Sequence, residues 1–464
     1  MRIDDPAFLG YALPALLAVF FLVVGAHAFY KKPSASTTGA SLVLAIGSLL
    51  LISRGSEGAW LLGAAVSTMG IASVVERVRG RVPLARAAVA VAVVGNLAAF
   101  VVARQHLSGR AFAFSGAAVV ACHAVAFVVD VYRGEATVRR PLTALLYLVQ
   151  FPVLAAGPIV RYQDFSRQHG RIVQSAGLAS FTYGMRRVLI GIVKVSVVAR
   201  LLAEPVDAIF SLPAARLSVD AAWLAAVSFS LQLYYQFSGY SDLAIGLGRM
   251  FGLRYPDNFR RPYLADSVRE FWRRWNVTAI TWLRDYLSLP MAGRDRPTPR
   301  LLPNILLGFA LLGLWHGAGQ TAWLWAIYSS AWLALEAVGL GERLERWPSA
   351  FRHVYLLLIV TVGWVILRAD TVAGAVTFLQ TMAGIRGAAG FTAVRYATVP
   401  VVIALVTAVV GAGPLVPWIS RWRVTLDAAT AALLMMMSAV SLFLWRGGVF
   451  VRDAVSWRRR PTPR

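Results

Sequence analysis

The chain has 464 residues, of which 58% are hydrophobic and only 15% are charged. A soluble domain usually has about 45–50% apolar and roughly 25% charged residues, so this composition excludes a soluble enzyme, a disordered protein and a fibrous protein. The formal net charge of +24 comes almost wholly from arginine. Because the arginines lie between apolar runs, as in the cytosolic loops of membrane proteins, the charge does not indicate nucleic-acid binding.

Apolar stretches of suitable length for membrane spans recur along the whole chain, since a span takes about 20 apolar residues. A helix satisfies its own backbone in lipid, so we predict an all-α polytopic membrane protein with about 10–13 transmembrane helices. The candidate spans are 8–29, 39–53, 58–75, 84–103, 111–131, 141–160, 182–203, 220–250, 301–318, 320–340, 353–369, 396–418 and 427–446.

Two of these stretches are irregular. The stretch 182–203 carries basic residues, among them Arg186, Arg187 and Lys194, so it is alternatively partly re-entrant or faces protein. The stretch 220–250 is too long for one straight span and is predicted to break at Gly239. The first stretch is followed by no small-residue cleavage site and is read as a retained span.

The chain shows no internal repeat and no low-complexity linker, so we read residues 1–464 as a single integral-membrane domain. Basic clusters follow the first, third and fifth spans, which places these loops in the cytosol and the N-terminus outside. The lack of two similar halves disfavours a secondary transporter.

Metal-binding side chains are sparse. The single cysteine, Cys122, excludes an internal disulfide framework and a cysteine zinc cluster. The 6 histidines form no HExxH or HxxxH pair. We therefore expect neither a metal ion nor a permanently bound cofactor.

The stretch 255–300 is too polar for a span and too aromatic for a plain loop. Its aromatic residues recur at spacings of three and four, which on one helix gives them a common side. The residues on that side are Trp272, Trp275, Trp282 and Tyr286. Such a helix either anchors at the membrane interface or folds back into the bundle.

His316 ends the apolar run 301–315, in the string Leu-Trp-His-Gly-Ala. A histidine at membrane depth is rare, and an imidazole with a pKa near 6.5 takes up and returns a proton near neutral pH. His316 is therefore a candidate general base, with a packing histidine as the alternative. His123 also lies in a span, and there packing is the preferred interpretation.

A polar cluster at 236–242, Gln-Phe-Ser-Gly-Tyr-Ser-Asp, interrupts a mostly apolar stretch. It contains Ser238, Tyr240 and Asp242. These side chains either line a cavity or hold helices together, and the sequence leaves both interpretations open.

Short motifs follow one another in a fixed order between residues 120 and 390, including EFWRRWN, TWLRDYL and GLWHG. In this order and spacing they resemble the membrane-bound O-acyltransferase family, and within it the bacterial alginate O-acetylation branch. The motifs lie at 123–134, 151–165, 238–252, 256–259, 270–276, 281–287, 313–317 and 363–370.

The resemblance implies a helical bundle around a central tunnel, with interfacial or re-entrant helices and an acyl thioester donor such as acetyl-CoA or an acyl carrier. His316 matches the family's catalytic histidine. Asn276 stands where this branch often has a second histidine and other branches have asparagine. Gln320 and Ser329 replace a tryptophan and a histidine, which is expected to reshape the cavity.

We expect transfer of a short acyl group, with acetyl first, to a hydroxyl of an exported polysaccharide or envelope glycan. The protein would lie in a bacterial inner membrane, among its lipids, with a periplasmic or extracellular acyltransferase as partner. His316 would act as the base, and Asn276 would donate to the thioester carbonyl or orient the histidine. The residues expected to contact donor or substrate are Arg273, Arg274, Trp275, Trp282, Arg284, Asp285, Ser238, Tyr240, Asp242 and Trp315.

The donor-binding expectation for the arginines has alternatives. Arginine suits the phosphates of coenzyme A, but anionic lipid headgroups would also attract this stretch. Arg284 with Asp285 is equally a structural ion pair.

Other functions stay open. Within acyl transfer, the acceptor is alternatively a lipid, peptidoglycan, teichoic acid with an aminoacyl group, or a secreted small molecule. A non-enzymatic transporter of lipid or glycan would be marked by paired intramembrane carboxylates, and Asp130, Asp242 and Glu336 are sparse. An inactive scaffold is a third possibility, which the retention of His316 and Asn276 opposes.

Overall fold

All regular structure in the described part of the computed structural model is helical, and no strand occurs there. This confirms the all-α membrane fold expected from composition. The described residues are 56–106, 111–154, 157–288, 298–317, 319–387 and 392–413, with short runs between 15 and 48.

Residue contacts divide the chain into two compact units. Among the described residues, the first unit comprises the chain up to residue 192 together with 240–257, and the second comprises 193–239 and residues from 258 onward. The reading of the chain as one integral-membrane domain stays a prediction.

The first unit contains three long helices that pack against one another, followed by shorter ones. The long helices match the expected spans 58–75, 84–103 and 111–131. The helices are α1 Ser56–Val78, α2 Val82–His106, α3 Ala111–Arg133, α4 Pro141–Val149, α5 Tyr162–His169, α6 Ile172–Ser175 and α7 Leu178–Val193.

The expected span 141–160 is not one helix. α4 ends at Val149, and a 3₁₀ turn over Phe151–Val153 follows. Pro152 lacks the N–H group that a continuing α-helix needs, which explains the end of α4 at this point.

The second unit begins with a π-helical turn, Lys194–Ala199, that continues α7. Further π-helical turns follow α11, at Arg284–Ser288, and α13, at Glu336–Leu340. The other helices that contribute to this unit are α8 Arg200–Phe210, α9 Val219–Met250, α10 Val268–Arg274, α11 Val277–Leu283, α12 Thr298–His316, α13 Gln320–Leu335, α14 Gly341–Glu345, α15 Ser349–Arg368, α16 Val372–Met382 and α17 Val399–Ala412.

Helix α9 runs for 32 residues without interruption, so the predicted break at Gly239 is wrong. A glycine inside a helix costs only about 1 kcal/mol relative to alanine. The apolar side chains buried before and after Gly239 along this helix offset that cost. The helix contributes residues 219–239 to the second unit and 240–250 to the first.

Four stretches within the described residues are long and apolar enough to cross a membrane: Leu61–Val78, Val82–Val102, Gln320–Glu345 and Ser349–Arg368. Shorter apolar helices occur at Pro141–Val153, Leu302–His316, Val372–Met382 and Val399–Ala412. The expected span 427–446 lies outside the described residues, and 8–29, 39–53, 301–318 and 396–418 are described only in part. The total of 10–13 spans stays a prediction.

Candidate active site

Helix α10 begins where two polar side chains cap its first turn. The hydroxyl of Ser267 accepts a hydrogen bond from the N–H of Glu270 at 3.2 Å, in a Ser-x-x-Glu pattern typical of helix starts. The buried carboxylate of Glu336 accepts the N–H groups of Val268 and Arg269, at 2.8 Å each. These bonds satisfy donors that a helix start leaves without helical partners, so Glu336 fixes where α10 begins.

The chain turns sharply between α10 and α11 at Asn276. Trp275 is extended, with φ −95° and ψ 126°, and Asn276 lies in the left-handed region, with φ 45° and ψ 52°. Asparagine adopts this conformation more readily than most residues, so it suits the turn. The expectation that residues 272–286 form one helix with a common aromatic side is therefore wrong, because the periodic spacing continues across a turn.

The start of α11 is held by Asn258. Its carbonyl oxygen accepts the N–H of Val277 at 2.9 Å. Its Oδ1 accepts the N–H and the hydroxyl of Thr278, at 3.0 and 2.9 Å. The buried Asn258 thus makes the bond that a capping side chain normally supplies, whereas the side chain of Asn276, at the capping position, makes no such bond.

Tightly packed rings surround this turn. Trp364 stacks on Trp325 with centroids 6.0 Å apart and lies 5.1 Å from the ring of Trp275. Trp272 meets Trp325 edge-on at 6.0 Å. Stacked and edge-to-face pairs of this kind hold rings in defined positions and add to the energy of burial. We call the following residues the aromatic cluster: Phe271, Trp272, Trp275, Phe309, Trp325 and Trp364.

His316 is the last residue of α12, and its imidazole meets the ring of Trp325 edge-on, with 5.0 Å between centroids. Two glycines place it there. Gly313 lets α12 approach α13, because a Cβ at this position would lie 3.1 Å from the Cβ of Ala326. Gly317 ends the helix with φ +139°, a conformation that other residues rarely adopt. The Trp-His-Gly motif thus sets a half-buried histidine against the aromatic cluster.

Two other predicted tryptophans lie near these elements. Trp282, on α11, is buried, and its ring lies 5.6 Å from that of Tyr286. Trp315 is half-buried on α12, next to His316. Their contact with substrate stays a prediction.

A small cavity lies between α10, α13 and α15 in the second unit. It is open on one side and encloses no fixed volume. Ser329 is among its walls, whereas Gln320 is exposed at the start of α13. Its other walls include Trp272, Trp325, Trp332, Val360 and Gly363.

The predicted donor-binding arginines are mostly engaged locally. Arg274 pairs with Glu270 one helical turn earlier, and Nε of Arg284 donates to Asp285 at 2.6 Å. This hydrogen bond raises the pKa of Arg284. Arg273 is exposed at the end of α10. The ion-pair alternative therefore describes the geometry of Arg284 and Asp285, and donor binding by these residues stays a prediction.

The polar cluster at 236–242 is divided between the two units. Ser238 is buried in the second unit, and Tyr240 is half-buried in the first. Asp242 is buried in the first unit, 2.5 Å from Nε of Arg187. This geometry favours the interpretation that Asp242 holds α7 and α9 together, and substrate contact by the cluster stays a prediction.

Sequence reasoning missed the two residues that position α10 and α11. Asn258 lies in the Pro-Asp-Asn-Phe motif, which the sequence analysis identified. The motif does not indicate that Asn258 caps α11. The sequence suggested Glu336 only as a carboxylate that would mark a transporter. In the structure it caps α10, and its carboxylate also accepts a hydrogen bond from the hydroxyl of Tyr355 at 3.2 Å. With Asp242 paired to Arg187, two of the carboxylates that would mark a transporter have structural partners.

Metal ligation finds no support within the described residues, where no group of three or more His, Cys, Asp or Glu side chains is placed to hold an ion.

The fold and the site define an all-α polytopic membrane protein with a histidine and an asparagine at the border of an aromatic cluster. The model of the MBOAT family, the membrane-bound O-acyltransferases, matches residues 102–339, just over half of the chain. The chain belongs to this family, which confirms the resemblance read from the motifs. His316 and Asn276 both lie within the matched region.

Several curated proteins share this region. The probable alginate O-acetylase AlgI of Pseudomonas putida is 40% identical over 248 residues, which are 53% of this chain and 50% of that protein. The peptidoglycan O-acetyltransferase of Helicobacter pylori is 33% identical over 246 residues, 52% and 46% of the two chains. The teichoic acid D-alanyltransferase of Bacillus subtilis is 25% identical over 235 residues, 48% and 59%. The chain spans about half the length of the curated relatives it matches.

Proposed function

We propose that the chain is an O-acyltransferase that moves a short acyl group from a cytosolic thioester to a hydroxyl of an exported polysaccharide or cell-envelope glycan. The observation that carries this proposal is the position of His316 and Asn276 at the border of one aromatic cluster. His316 packs on Trp325, and Asn276 directly follows Trp275. Both tryptophans contact Trp364.

The chemistry assigns one role to each residue. His316 takes the proton of the acceptor hydroxyl as its oxygen attacks the carbonyl carbon of the thioester. The C–S bond then breaks, and the proton passes from the imidazolium to the departing thiolate. The amide of Asn276 donates a hydrogen bond to the carbonyl oxygen while negative charge develops on it.

The acceptor is proposed from the names of the relatives, which refer to alginate, peptidoglycan and teichoic acid. The alginate relative has the highest identity of the three, so acetyl transfer to an exported polysaccharide is the first candidate. Acetyl transfer to peptidoglycan and D-alanyl transfer to teichoic acid are the alternatives within the same chemistry.

The donor is proposed to be acetyl-CoA or an acyl carrier, held in part by arginine. Arg273 is the first choice because it is exposed and because a guanidinium binds phosphate well. Arg274 and Arg284 would have to exchange a carboxylate partner for phosphate. We also propose a separate periplasmic or extracellular acyltransferase that completes the transfer, and a bacterial inner membrane as the location.

The test is the ester content of surface polysaccharide, peptidoglycan and lipid in a strain that lacks the chain. The deletion strain is complemented with wild type, with His316→Ala at matched protein level, or with an empty vector. We expect ester to fall in one fraction and to return only with wild type, which identifies the acceptor class. Unchanged ester in all three fractions would contradict acyl transfer to the envelope. Full restoration by His316→Ala would contradict the proposed base and favour a transporter or scaffold.

A further inference from the structure

We propose that an arginine cluster between the start of α7 and the end of α9 binds a phosphate group at the membrane surface. The cluster consists of Arg186, Arg249 and Arg254, and the first two lie against the ring of Tyr183. An anionic lipid headgroup is the proposed source of the phosphate, and a soluble phosphate compound is the other source of the same chemistry. The inference concerns the first unit and does not depend on acyl transfer.

Two glycines bring the start of α7 against the end of α9. A Cβ on Gly184 would lie 2.5 Å from the carbonyl oxygen of Gly246, and a Cβ on Gly246 would lie 2.6 Å from the carbonyl oxygen of Gly184. These distances leave no space for a larger side chain, so the two backbones approach only because both residues are glycine. The contact brings Arg186, on α7, and Arg249, on α9, to the same tyrosine ring.

The ring of Tyr183 attracts two guanidinium groups. The Cζ atom of Arg186 lies 5.9 Å from the ring centroid, and the Cζ atom of Arg249 lies 5.6 Å from it. The hydroxyl of the same tyrosine accepts a hydrogen bond from Nη1 of Arg187 at 3.3 Å. Because the face of an aromatic ring attracts cations, Tyr183 gathers positive charge at one place on the surface of the first unit.

The carboxylates that lie nearby are bonded to Arg187, which is outside the cluster. Asp242 lies 2.5 Å from its Nε, and Asp257 lies 2.6 Å from its Nη2. Among the described residues, no salt bridge joins Arg249 or Arg254 to a carboxylate, and Nε of Arg249 is buried without a hydrogen-bond partner. Guanidinium groups without a carboxylate keep donors for the oxygens of a phosphate, which arginine binds through paired hydrogen bonds.

Arg254 adds a positive charge whose place on the backbone is fixed. Its guanidinium repels that of Arg249, because two like charges lie close to each other. Its backbone is held by Gln168, whose Oε1 accepts the N–H of Arg254 at 2.6 Å and whose Nε2 donates to the carbonyl oxygen at 3.1 Å. Like charges that are held together favour an anion that interacts with both, and a phosphate group meets that condition.

The cluster lies at the ends of two expected spans, where lipid headgroups are found. Tyr183 and Arg186 are near the start of the stretch 182–203, and Arg249 is at the end of the stretch 220–250. Tyrosine is typical of the membrane interface, and basic residues there attract anionic lipids. General attraction of this kind acts on every arginine near the surface, whereas a built site depends on the arginines around Tyr183.

The test measures binding of one ligand molecule to the full chain in a neutral detergent, by native mass spectrometry. The probes are phosphatidylglycerol, the diacylglycerol that lacks its phosphate, inorganic phosphate and coenzyme A. We expect phosphatidylglycerol to bind more tightly than diacylglycerol. Arg249→Gln and Arg254→Gln each remove one charge and should each weaken binding of phosphatidylglycerol by about tenfold, the usual scale for a hydrogen bond to a charged group.

Two controls separate the site from general surface charge. Arg139→Gln makes the same change at an exposed arginine between α3 and α4, and it should leave the dissociation constant unchanged. Tyr183→Phe keeps the ring and should keep binding, whereas Tyr183→Leu removes the ring and should weaken binding. Arg254 is exposed, so Arg254→Gln remains a test if Arg249→Gln fails to fold.

The probes also distinguish the two sources of phosphate. If coenzyme A or inorganic phosphate binds more tightly than the lipid and loses binding in the same arginine variants, the site takes a soluble phosphate compound. Three outcomes would overturn the inference: no binding of any phosphate probe, equal binding of diacylglycerol and phosphatidylglycerol, or an equal effect of Arg139→Gln and Arg254→Gln. The last result would reduce the cluster to part of the general positive charge of the surface.

Discussion

Four buried polar side chains, two in each unit, have different kinds of partner. In the first unit, the buried His169 and Asp242 bond to other side chains. His169 lies between two hydroxyls, with Nε2 2.7 Å from Ser41 and Nδ1 3.3 Å from Thr143. The buried Asp242 is paired with Arg187 at 2.5 Å. A histidine and a carboxylate of this unit are thus used for structure.

In the second unit, the buried side chains of Glu336 and Asn258 bond to backbone N–H groups near the aromatic cluster. Glu336 caps α10, and Asn258 caps α11. Because Asn258 makes the capping bond, the amide of Asn276 is not used for the helix start. The comparison teaches that the starts of α10 and α11 are held by Glu336 and Asn258 and not by the side chain of Asn276. We therefore expect loss of Asp242 to reduce stability, and loss of His316 or Asn276 to reduce mainly the rate of acyl transfer.

The largest effect is expected at His316. Substitution by alanine should lower the rate of acyl transfer by about 10²–10⁴-fold, the usual range for a general base. His169→Gln is the control from the first unit, where the side chain has structural partners. Thiol release per folded molecule measures both. A comparable loss of rate in both variants would contradict the contrast between the units.

At Asn276, the backbone and the amide can be tested separately. Glycine accepts the positive φ of 45°, so Asn276→Gly removes the amide while keeping the turn. We expect a rate loss of about 10²–10³-fold, as for an oxyanion donor. Asn276→Ala should show a similar rate loss and also lower the free energy of unfolding by about 1 kcal/mol through backbone strain. Unfolding in detergent and initial rates separate the two effects, and an active glycine variant would contradict the assigned role.

In the first unit, Asp242→Asn should act on stability. The substitution removes the negative charge beside Arg187, which is also paired with the carboxylate of Asp257 at 2.6 Å. Breaking a buried ion pair costs about 3–5 kcal/mol. Because Asp257 would still neutralise Arg187, we expect the free energy of unfolding to fall by about 3 kcal/mol, near the lower end of that range. Thermal unfolding measures it. A stable variant with a large loss of rate would instead assign Asp242 to substrate binding.

A smaller effect is expected at the cap of α11. Asn258→Ala removes both side-chain bonds to Thr278, whereas Thr278→Val removes only the one from its hydroxyl. We expect losses of about 1–2 kcal/mol for the first and about 1 kcal/mol for the second, with rate falling in the same order as the turn loosens. Equal rates in wild type and Asn258→Ala would show that Asn276 is positioned without this cap.

The smallest effect is a pH dependence of the first unit. Burial and the nearby Arg140 lower the pKa of His169. The unfolded chain, whose histidine has a pKa of about 6.5, then binds this proton more readily than the folded chain. Stability from this group is complete above about pH 6.5 and falls as the pH drops below it. The difference in unfolding temperature between about pH 7.5 and about pH 5 should shrink in His169→Gln. If His169→Gln leaves this temperature difference unchanged, the pH dependence arises from other groups.

Features of composition and local chemistry could be predicted from the sequence. Long apolar runs predicted the all-α membrane fold, because only a helix satisfies its backbone over such lengths in lipid. The Trp-His-Gly motif predicted a functional role for His316. The positive φ at Gly317 explains why the motif contains a glycine.

Features that depend on distant contacts could not be predicted. The aromatic spacing between 272 and 286 is helical, yet the chain turns at Asn276 because Asn258, 20 residues from Thr278, supplies the cap. Gly239 suggested a break that packing along α9 overrides. At Asn276 a partner remote in sequence decides the backbone, and periodicity carries no record of that partner.

The central claim is that His316 and Asn276 act in one site, and a double-mutant cycle tests it most directly. The rate of thiol release from acetyl-CoA is measured for wild type, His316→Ala, Asn276→Gly and the double variant, each corrected for folded protein. Residues that act as a unit have strongly non-additive effects. We predict that the double variant is about as active as His316→Ala alone. Losses that multiply, as for independent sites, would contradict the account.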